Sequence, residues 1–324
     1  MKKKVYIIVI VIILLLCGLL LMKENQASQA ILPGETPPLQ DSSVQRQPVL
    51  SSAESTVALV YYASADGKKI VPVSRRINAT NEVAAEALAL LLAGPPSEIF
   101  AASVPEGTKL LGLYSIYQTV YVDLSAEFLD ISKEQMQMAV DAICATVLPL
   151  TDGYKLQILV EGKGYAMISG VHLEDPLSMP DLNAEELPAG YTKADCFAQR
   201  YYLPDTQGRY LIPYTMFLAA ENAATELRIL AVVERILPRG LELENIQTED
   251  EVCTLNLGYE PNNNYVVSQS YEQAWLEAMC RSLCRIGGVS AIAINLNGAL
   301  AQSLPQGTAC VAPIVYDTPI NLYE

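Results

Sequence analysis

Asp123, Glu127 and Asp130 form the densest run of acids in the first half of the chain. Paired carboxylates can act as acid and base in glycoside hydrolysis, one protonating the leaving group and the other attacking or activating water. The competing reading is structural. Asp123 sits at the end of a strand-like stretch, and Glu127 and Asp130 precede a helix-like one, where carboxylates favour the positive end of the helix dipole. Asn256 stands at the matching place in the second half, and an amide suits a cap or a turn but cannot exchange a proton. The structural reading is favoured.

Cys280 and Cys284 have a spacing that suits a metal ligand pair or a disulfide. Both fall on the apolar face of a helical pattern, as does Cys144 in the first half, and cysteine often behaves as a small buried hydrophobe. Core packing is favoured over either alternative, and Cys253, which aligns with Val120, reads the same way. His172 is the one histidine; it follows Ser169-Gly-Val with no nucleophile elbow in sight, so no Ser-His-Asp triad is indicated. Gly107 and Gly240 lack the glycine spacing of a phosphate loop and read as turns before strands. Trp275 adjoins an apolar helix face and reads as core. No catalytic, cofactor-binding or metal-ligating residue is assigned, and no cofactor is expected.

At 324 residues, 51% hydrophobic and 18% charged, the chain has room for two folded domains. A net charge of −15 repels phosphate backbones, so nucleic acid is excluded as a partner. Seven cysteines without CxxC spacing form neither a zinc ribbon nor a dense disulfide framework.

Three lysines, Lys2, Lys3 and Lys4, precede the uncharged apolar run Val5–Met22, which favours a cytoplasmic N-terminus and an exported remainder. The run reads as an uncleaved membrane anchor. Lipidation of Cys17 and a simple secretory signal are the alternatives, and Leu16 is a poor residue before a lipidated cysteine. Residues 23–56, with Pro33, Pro37, Pro38 and Pro48 among polar residues, read as a flexible stalk.

The remainder is written twice. Ala58-Leu-Val-Tyr-Tyr-Ala63, Ile70-Val-Pro-Val73, Val104-Pro-Glu-Gly-Thr108 and Val120-Tyr-Val-Asp-Leu-Ser125 have worn copies at Gln199-Arg-Tyr-Tyr-Leu203, Leu211-Ile-Pro-Tyr214, Leu237-Pro-Arg-Gly240 and Cys253-Thr-Leu-Asn-Leu-Gly258. Tyr62 is paired with Tyr202, Pro72 with Pro213, Asn81 with Asn222, and Asp123 with Asn256. Alternating Val, Ile and Tyr around Asp66-Gly67 predict a hairpin. Asn81 is the expected cap of a helix that stops at Gly94-Pro-Pro96. A capping box, Ser132-Lys-Glu-Gln135, opens a second helix with Met136, Ala139, Val140, Ile143, Cys144 and Val147 inward. Ser270-Tyr-Glu-Gln273 is the expected box in the second copy, two residues out of register, and Ala223, Leu227, Leu230 and Ala231 are the expected inward face of its first helix. The order ββαββαβ predicts an α/β (α+β) fold, a mixed sheet with two helices on one face, occurring twice in tandem. The expected domains are residues 57–169 and 196–299, joined by a connector at 170–195 and followed by a tail at 300–324 without a counterpart in the first copy.

Tyr61-Tyr-Ala63, Asp66-Gly67, Ile70-Val-Pro-Val73, Gly94-Pro-Pro96, Val104-Pro-Glu-Gly-Thr108 and Val122-Asp-Leu-Ser-Ala-Glu-Phe128 together resemble the GerMN (Germane) domain family. The resemblance is strong over Val57–Gly162 and weaker over Gln199–Gly298. It implies a membrane-tethered protein of sporulation and spore germination, in the space between mother cell and forespore, with a domain akin to ring-building folds. It supplies no catalytic residue. The expected function is therefore non-enzymatic, with the membrane, other sporulation envelope proteins and copies of the chain itself as partners. The alternative is a peptidoglycan-binding or wall-processing module, with 18 tyrosines available to stack on sugars.

Overall fold

The computed structural model describes residues 55–324, apart from Ala79, Ala223, Asn262, Asn263 and Glu324. Cys17, the apolar run Val5–Met22 and all but the last two residues of the stalk lie outside the described residues. No helix among the described residues is long and apolar enough to cross a membrane. The chain from Ser51 on is one compact unit, and both hydrophobic cores lie inside it.

The first half opens with an antiparallel hairpin, β1 (Ser55–Ser64) and β2 (Ile70–Asn78). Asp66-Gly67 makes its turn, with Ser64 Oγ donating to Asp66 Oδ1 at 2.6 Å and Gly67 at φ +66°. Helix α1 (Val83–Ala93) stops at Gly94, but Glu82 is its N-cap and makes no side-chain cap bond; Asn81 lies one residue outside. Short β3 (Phe100–Ala101) adds to the end of β1. Then come β4 (Leu110–Ile116), β5 (Thr119–Leu124), α2 (Lys133–Val147), β6 (Lys155–Val160) and β7 (Lys163–Gly164). The connector holds a small hairpin, β8 (Met167–Ile168) and β9 (Val171–His172).

The second half repeats the order with β10 (Cys196–Pro204), β11 (Leu211–Ala219), α3 (Thr225–Ile236), β12 (Leu241–Glu249), β13 (Val252–Tyr259), α4 (Gln269–Leu283), β14 (Ala291–Leu296) and β15 (Ala299–Leu300). The chain closes on β16 (Leu322–Tyr323).

The architecture is α+β with several mixed sheets and four helices. In each half the strands divide between a hairpin and a separate sheet, β4–β5–β6–β7 and β12–β13–β14–β15, each with one parallel pair. Helix α2 has sheet on one side and hairpin on the other. Val140 and Ile143 share a core with Val120, Val122 and Leu124, while the Tyr61 N–H donates to Thr146 Oγ1 at 3.2 Å. Helix α4 does the same, with the Tyr202 N–H donating to Ser282 Oγ at 2.9 Å. This two-sided burial is why α2 and α4 each bury nine of fifteen residues.

Three local expectations are corrected. Tyr61 sits opposite Pro72 and Tyr202 opposite Pro213, so Tyr61, not Tyr62, is the counterpart of Tyr202. The cap of α4 is Ser268, which accepts from the Tyr271 N–H at 3.1 Å, rather than Ser270. With that cap the two-residue mismatch vanishes, and Glu272 falls where α2 has Met136. Helix α3 buries Ile229, Val232, Val233 and Ile236, whereas Leu227 and Leu230 are exposed. Apolar residues occur almost all round this helix, and the branched face at a 0, 3, 4, 7 spacing is the one that α4 and strand β10 cover.

Candidate functional site

The acids of the first half do not converge. The Asp123 carboxylate accepts from the Gly162 N–H at 2.9 Å, tying the end of β5 to the turn after β6. Ser125 Oγ accepts from the Lys109 N–H at 2.9 Å. Glu127 is exposed; a hydrogen bond from Ser125 holds its carboxyl below the usual range. Asp130 is exposed. Asn256 at the matching place accepts from the Asn295 side-chain amide at 2.8 Å, so both positions serve to join neighbouring strands.

Cys280 and Cys284 bring their sulfurs to 3.9 Å, and Cys280 donates to the Ile314 carbonyl at 3.3 Å. Burial pushes the Cys144 thiol well up and Cys253 up to about 11, as expected of core cysteines. The sulfur–sulfur contact with Cys280 pulls the Cys284 thiol down. Among the described residues no group of three or more His, Cys, Asp or Glu could hold a metal ion. His172 is exposed on β9. Trp275 is fully buried and donates to the Ile236 carbonyl at 3.0 Å. Gly107 and Gly240 turn the chain at φ +83° and +91°.

What the structure does bring together lies between the halves. Asn183, in the connector, accepts from the Ile70 N–H at 2.8 Å and donates both to Ile70 O at 2.8 Å and to Pro213 O at 2.7 Å. Asn321, in the tail, accepts from the Leu211 N–H at 2.7 Å and donates to Leu211 O at 2.8 Å and to Pro72 O at 2.7 Å. Each asparagine thus grips the hairpin of its own half and reaches the proline carbonyl of the other. Both adopt left-handed φ, +47° and +48°, a region asparagine tolerates better than other side-chain-bearing residues.

The residues after each asparagine then cross over. Ala184 pairs in parallel with Thr215 of β11, and β16 pairs in parallel with β2 at Leu322–Ser74. The tail therefore has a counterpart in the first half after all, the connector. Leu177 bridges Leu156 as Ile314 bridges Ile292, and buried Leu182 and Ile320 precede the two asparagines. Neither segment reads as an element from its composition. The shared signals were Leu182-Asn183 against Ile320-Asn321 and Asp175-Pro-Leu177 against Ala312-Pro-Ile314.

Side chains support the two crossings differently. Beside the connector, Glu185 accepts from the Tyr201 hydroxyl at 2.5 Å and pairs with Arg235 at 3.2 Å. Beside the tail, Phe100 meets Tyr210 and Tyr323 with ring centroids at 5.0 and 5.7 Å. The tail has a second anchor in Glu272, whose buried carboxylate accepts from the Tyr265 hydroxyl at 2.7 Å and from the Gln306 and Thr308 N–H groups at 3.0 and 3.1 Å.

Residues 59–166 match the family model Germane, described as sporulation and spore germination. This part of the first half is similar to a Germane domain. The tandem GerMN domains of the sporulation protein GerM from Bacillus subtilis share the fold at a TM-score of 0.58 and 19% identity, over 83% of this chain and 100% of that one. The first GerMN domain of the same protein, taken alone, aligns at 24% identity and a TM-score of 0.35, over 38% of this chain and 97% of that one. No curated protein matches the chain. The Germane match ends just before β8, so the connector that carries Asn183 lies beyond it.

Proposed function

We propose that the chain is a non-catalytic, membrane-tethered protein of sporulation or spore germination. It stands on the extracytoplasmic face and works as an assembly module in the envelope between mother cell and forespore. The observation that carries this reading is how polar groups are used. Asn183 and Asn321 tie each half to the other, and Asp123, Asn256 and Glu272 bind chain within their own half or the tail, which leaves no convergent set for turnover among the described residues. The Germane match, described as sporulation and spore germination, supports this reading, in which the apolar run Val5–Met22 or a lipid on Cys17 is the tether.

Deleting the gene in its host and scoring engulfment, spore yield and germination separately tests the proposal. A defect in one of them with normal vegetative growth is expected, and a vegetative wall defect with normal sporulation would overturn it. A second reading, binding to peptidoglycan, is favoured by the stacked Tyr114–Tyr121 pair on an open sheet face, with centroids 5.3 Å apart. Saturable co-sedimentation with purified wall would raise it above the first.

A further inference from the structure

We infer that β4 is the surface through which two copies of this chain join, edge to edge and antiparallel, about a two-fold axis at Tyr114. This deepens the assembly reading and rests on it. β4 is the terminal strand of its sheet, bonded to β5 on one side only. No backbone hydrogen bond from any described residue reaches its outer edge. Its sequence, Leu-Leu-Gly-Leu-Tyr-Ser-Ile, contains neither a charge nor a proline. Leu111, Tyr114 and Ile116 are each close to half exposed, and Tyr117 in the following turn is fully so. Soluble proteins guard such edges with charges, prolines or covering segments, because an open, apolar edge templates another strand.

The second half shows what a guarded version looks like. β12 holds the same place in its sheet and has a bulge at a comparable point, between Leu243 and Asn245 as β4 has between Leu110 and Gly112. Yet it carries Glu242, Glu244 and Glu249, and the turn adds Asp250 and Glu251. Two copies meeting along β12 would oppose these carboxylates, and like charges facing across strands are destabilising.

On a chain of net charge −15, β4 offers a long edge where a second copy meets no carboxylate. The bulge takes the start of β4 out of register, so Gly112–Ile116 is the pairing stretch. With Tyr114 facing its own copy, Gly112 lies opposite Ile116 and Leu113 opposite Ser115. The stacked Tyr114–Tyr121 pair then continues across the axis as one ladder of rings. Such an isologous contact is closed, giving dimers and not fibres. One strand pair buries less than a permanent interface needs, so the dimer is reversible on dilution.

Sedimentation equilibrium of the chain from Ser51 on, over a dilution series, is expected to show the mass rise to twice that of the monomer. Tyr114→Lys and Tyr114→Glu each place like charges opposite one another on the axis, so each alone should stay monomeric with unchanged circular dichroism. Mixing the two should restore the doubled mass, in a manner weakened by salt. A wild type monomeric at every concentration, single variants that still dimerise, or a mixture that fails to pair would each overturn the assignment. Capture of envelope partners from sporulating cells is read separately. Capture by a monomeric wild type sinks the β4 pairing alone, whereas pairing at β4 without capture removes the wider envelope reading.

Discussion

The two crossings between the halves use one backbone device with two kinds of support. At the connector, Asn183 is backed by an ion pair and a phenol–carboxylate bond around Glu185. At the tail, Asn321 is backed by the rings of Phe100, Tyr210 and Tyr323. The asparagines read backbone groups, which every residue possesses, so the device survived divergence while its surroundings changed chemistry. The connector is also held at both ends by folded chain. The tail has a further anchor in Glu272, which accepts from the Gln306 and Thr308 N–H groups. Where copy one buries Met136, copy two buries a carboxylate whose partners are Tyr265 and the tail loop.

The largest break in this comparison should come from Glu272→Ala. It strands three donors, two of them backbone N–H groups, and removing one partner of a buried charged network costs about 3–5 kcal/mol. A fall of that size in denaturant stability, with proteolysis starting in the tail, is the expected result; a near-neutral change would show that the tail is held from elsewhere.

Asn183→Ala and Asn321→Ala each remove three hydrogen bonds and place alanine at left-handed φ, for a loss of about 2–3 kcal/mol. Hydrogen exchange separates them. Asn321→Ala should expose the Ser74 N–H, which donates to the Ile320 and Asn321 carbonyls, while Asn183→Ala should leave it protected. Equal deprotection in both variants would mean that the two crossings open together.

The glycines sharpen the contrast between halves. A Cβ on Gly240 would sit 2.6 Å from the Tyr265 nitrogen, while one on Gly107 would meet only the Glu127 side chain at 3.8 Å. Both carry the strain of positive φ, so Gly107→Ala should cost about 1 kcal/mol and Gly240→Ala clearly more. Paired thermal melts check the order.

The smallest effects are those of pH, and two acids on the first crossing oppose each other. Burial raises the Asp141 carboxyl, to about 6, with Asp181 adding to the rise. Its folded value exceeds its unfolded one, so the charged form is penalised and stability falls as pH rises through the interval between them. Asp141→Asn should therefore stabilise by about 1 kcal/mol above that interval and make no difference in strong acid, allowing for its partial exposure. For Glu185, burial raises the carboxyl, but bonds from Arg235 and Tyr201 pull it below its ordinary value. That stability is present above the unfolded value and is lost as pH falls through the folded one. Glu185→Gln should thus cost about 0.5 kcal/mol at neutral pH, with the difference fading in acid. Denaturant midpoints across pH, wild type against each variant, read both signs.

Much of this architecture was legible without coordinates. Alternating Val and Tyr around Asp66-Gly67, the cap at Ser132 and the spacing from Met136 to Val147 act over a few residues, and local chemistry decides them. The position of Cys280 and Cys284 on an apolar face likewise marked them as packing residues. The errors came where a choice was shared with distant chain. Ser268 and Ser270 are both competent caps, and only the packing of α4 between sheet and hairpin selects Ser268. Leu227 and Leu230 are as apolar as Ile229 and Val232, and only the packing of α3 on α4 and β10 decides which face goes in.

By itself the sequence determined the duplication, the α+β order and the acidic surface, because periodicity, capping and charge are properties of short segments. The tertiary structure alone decided that connector and tail are equivalent, that two asparagines bind each half to the other, and that β4 is left open while β12 is guarded. Hydrogen bonds from an asparagine side chain to backbone groups more than a hundred residues away carry little signature in composition, since any residue can supply the backbone partner and only the folded chain brings it within reach.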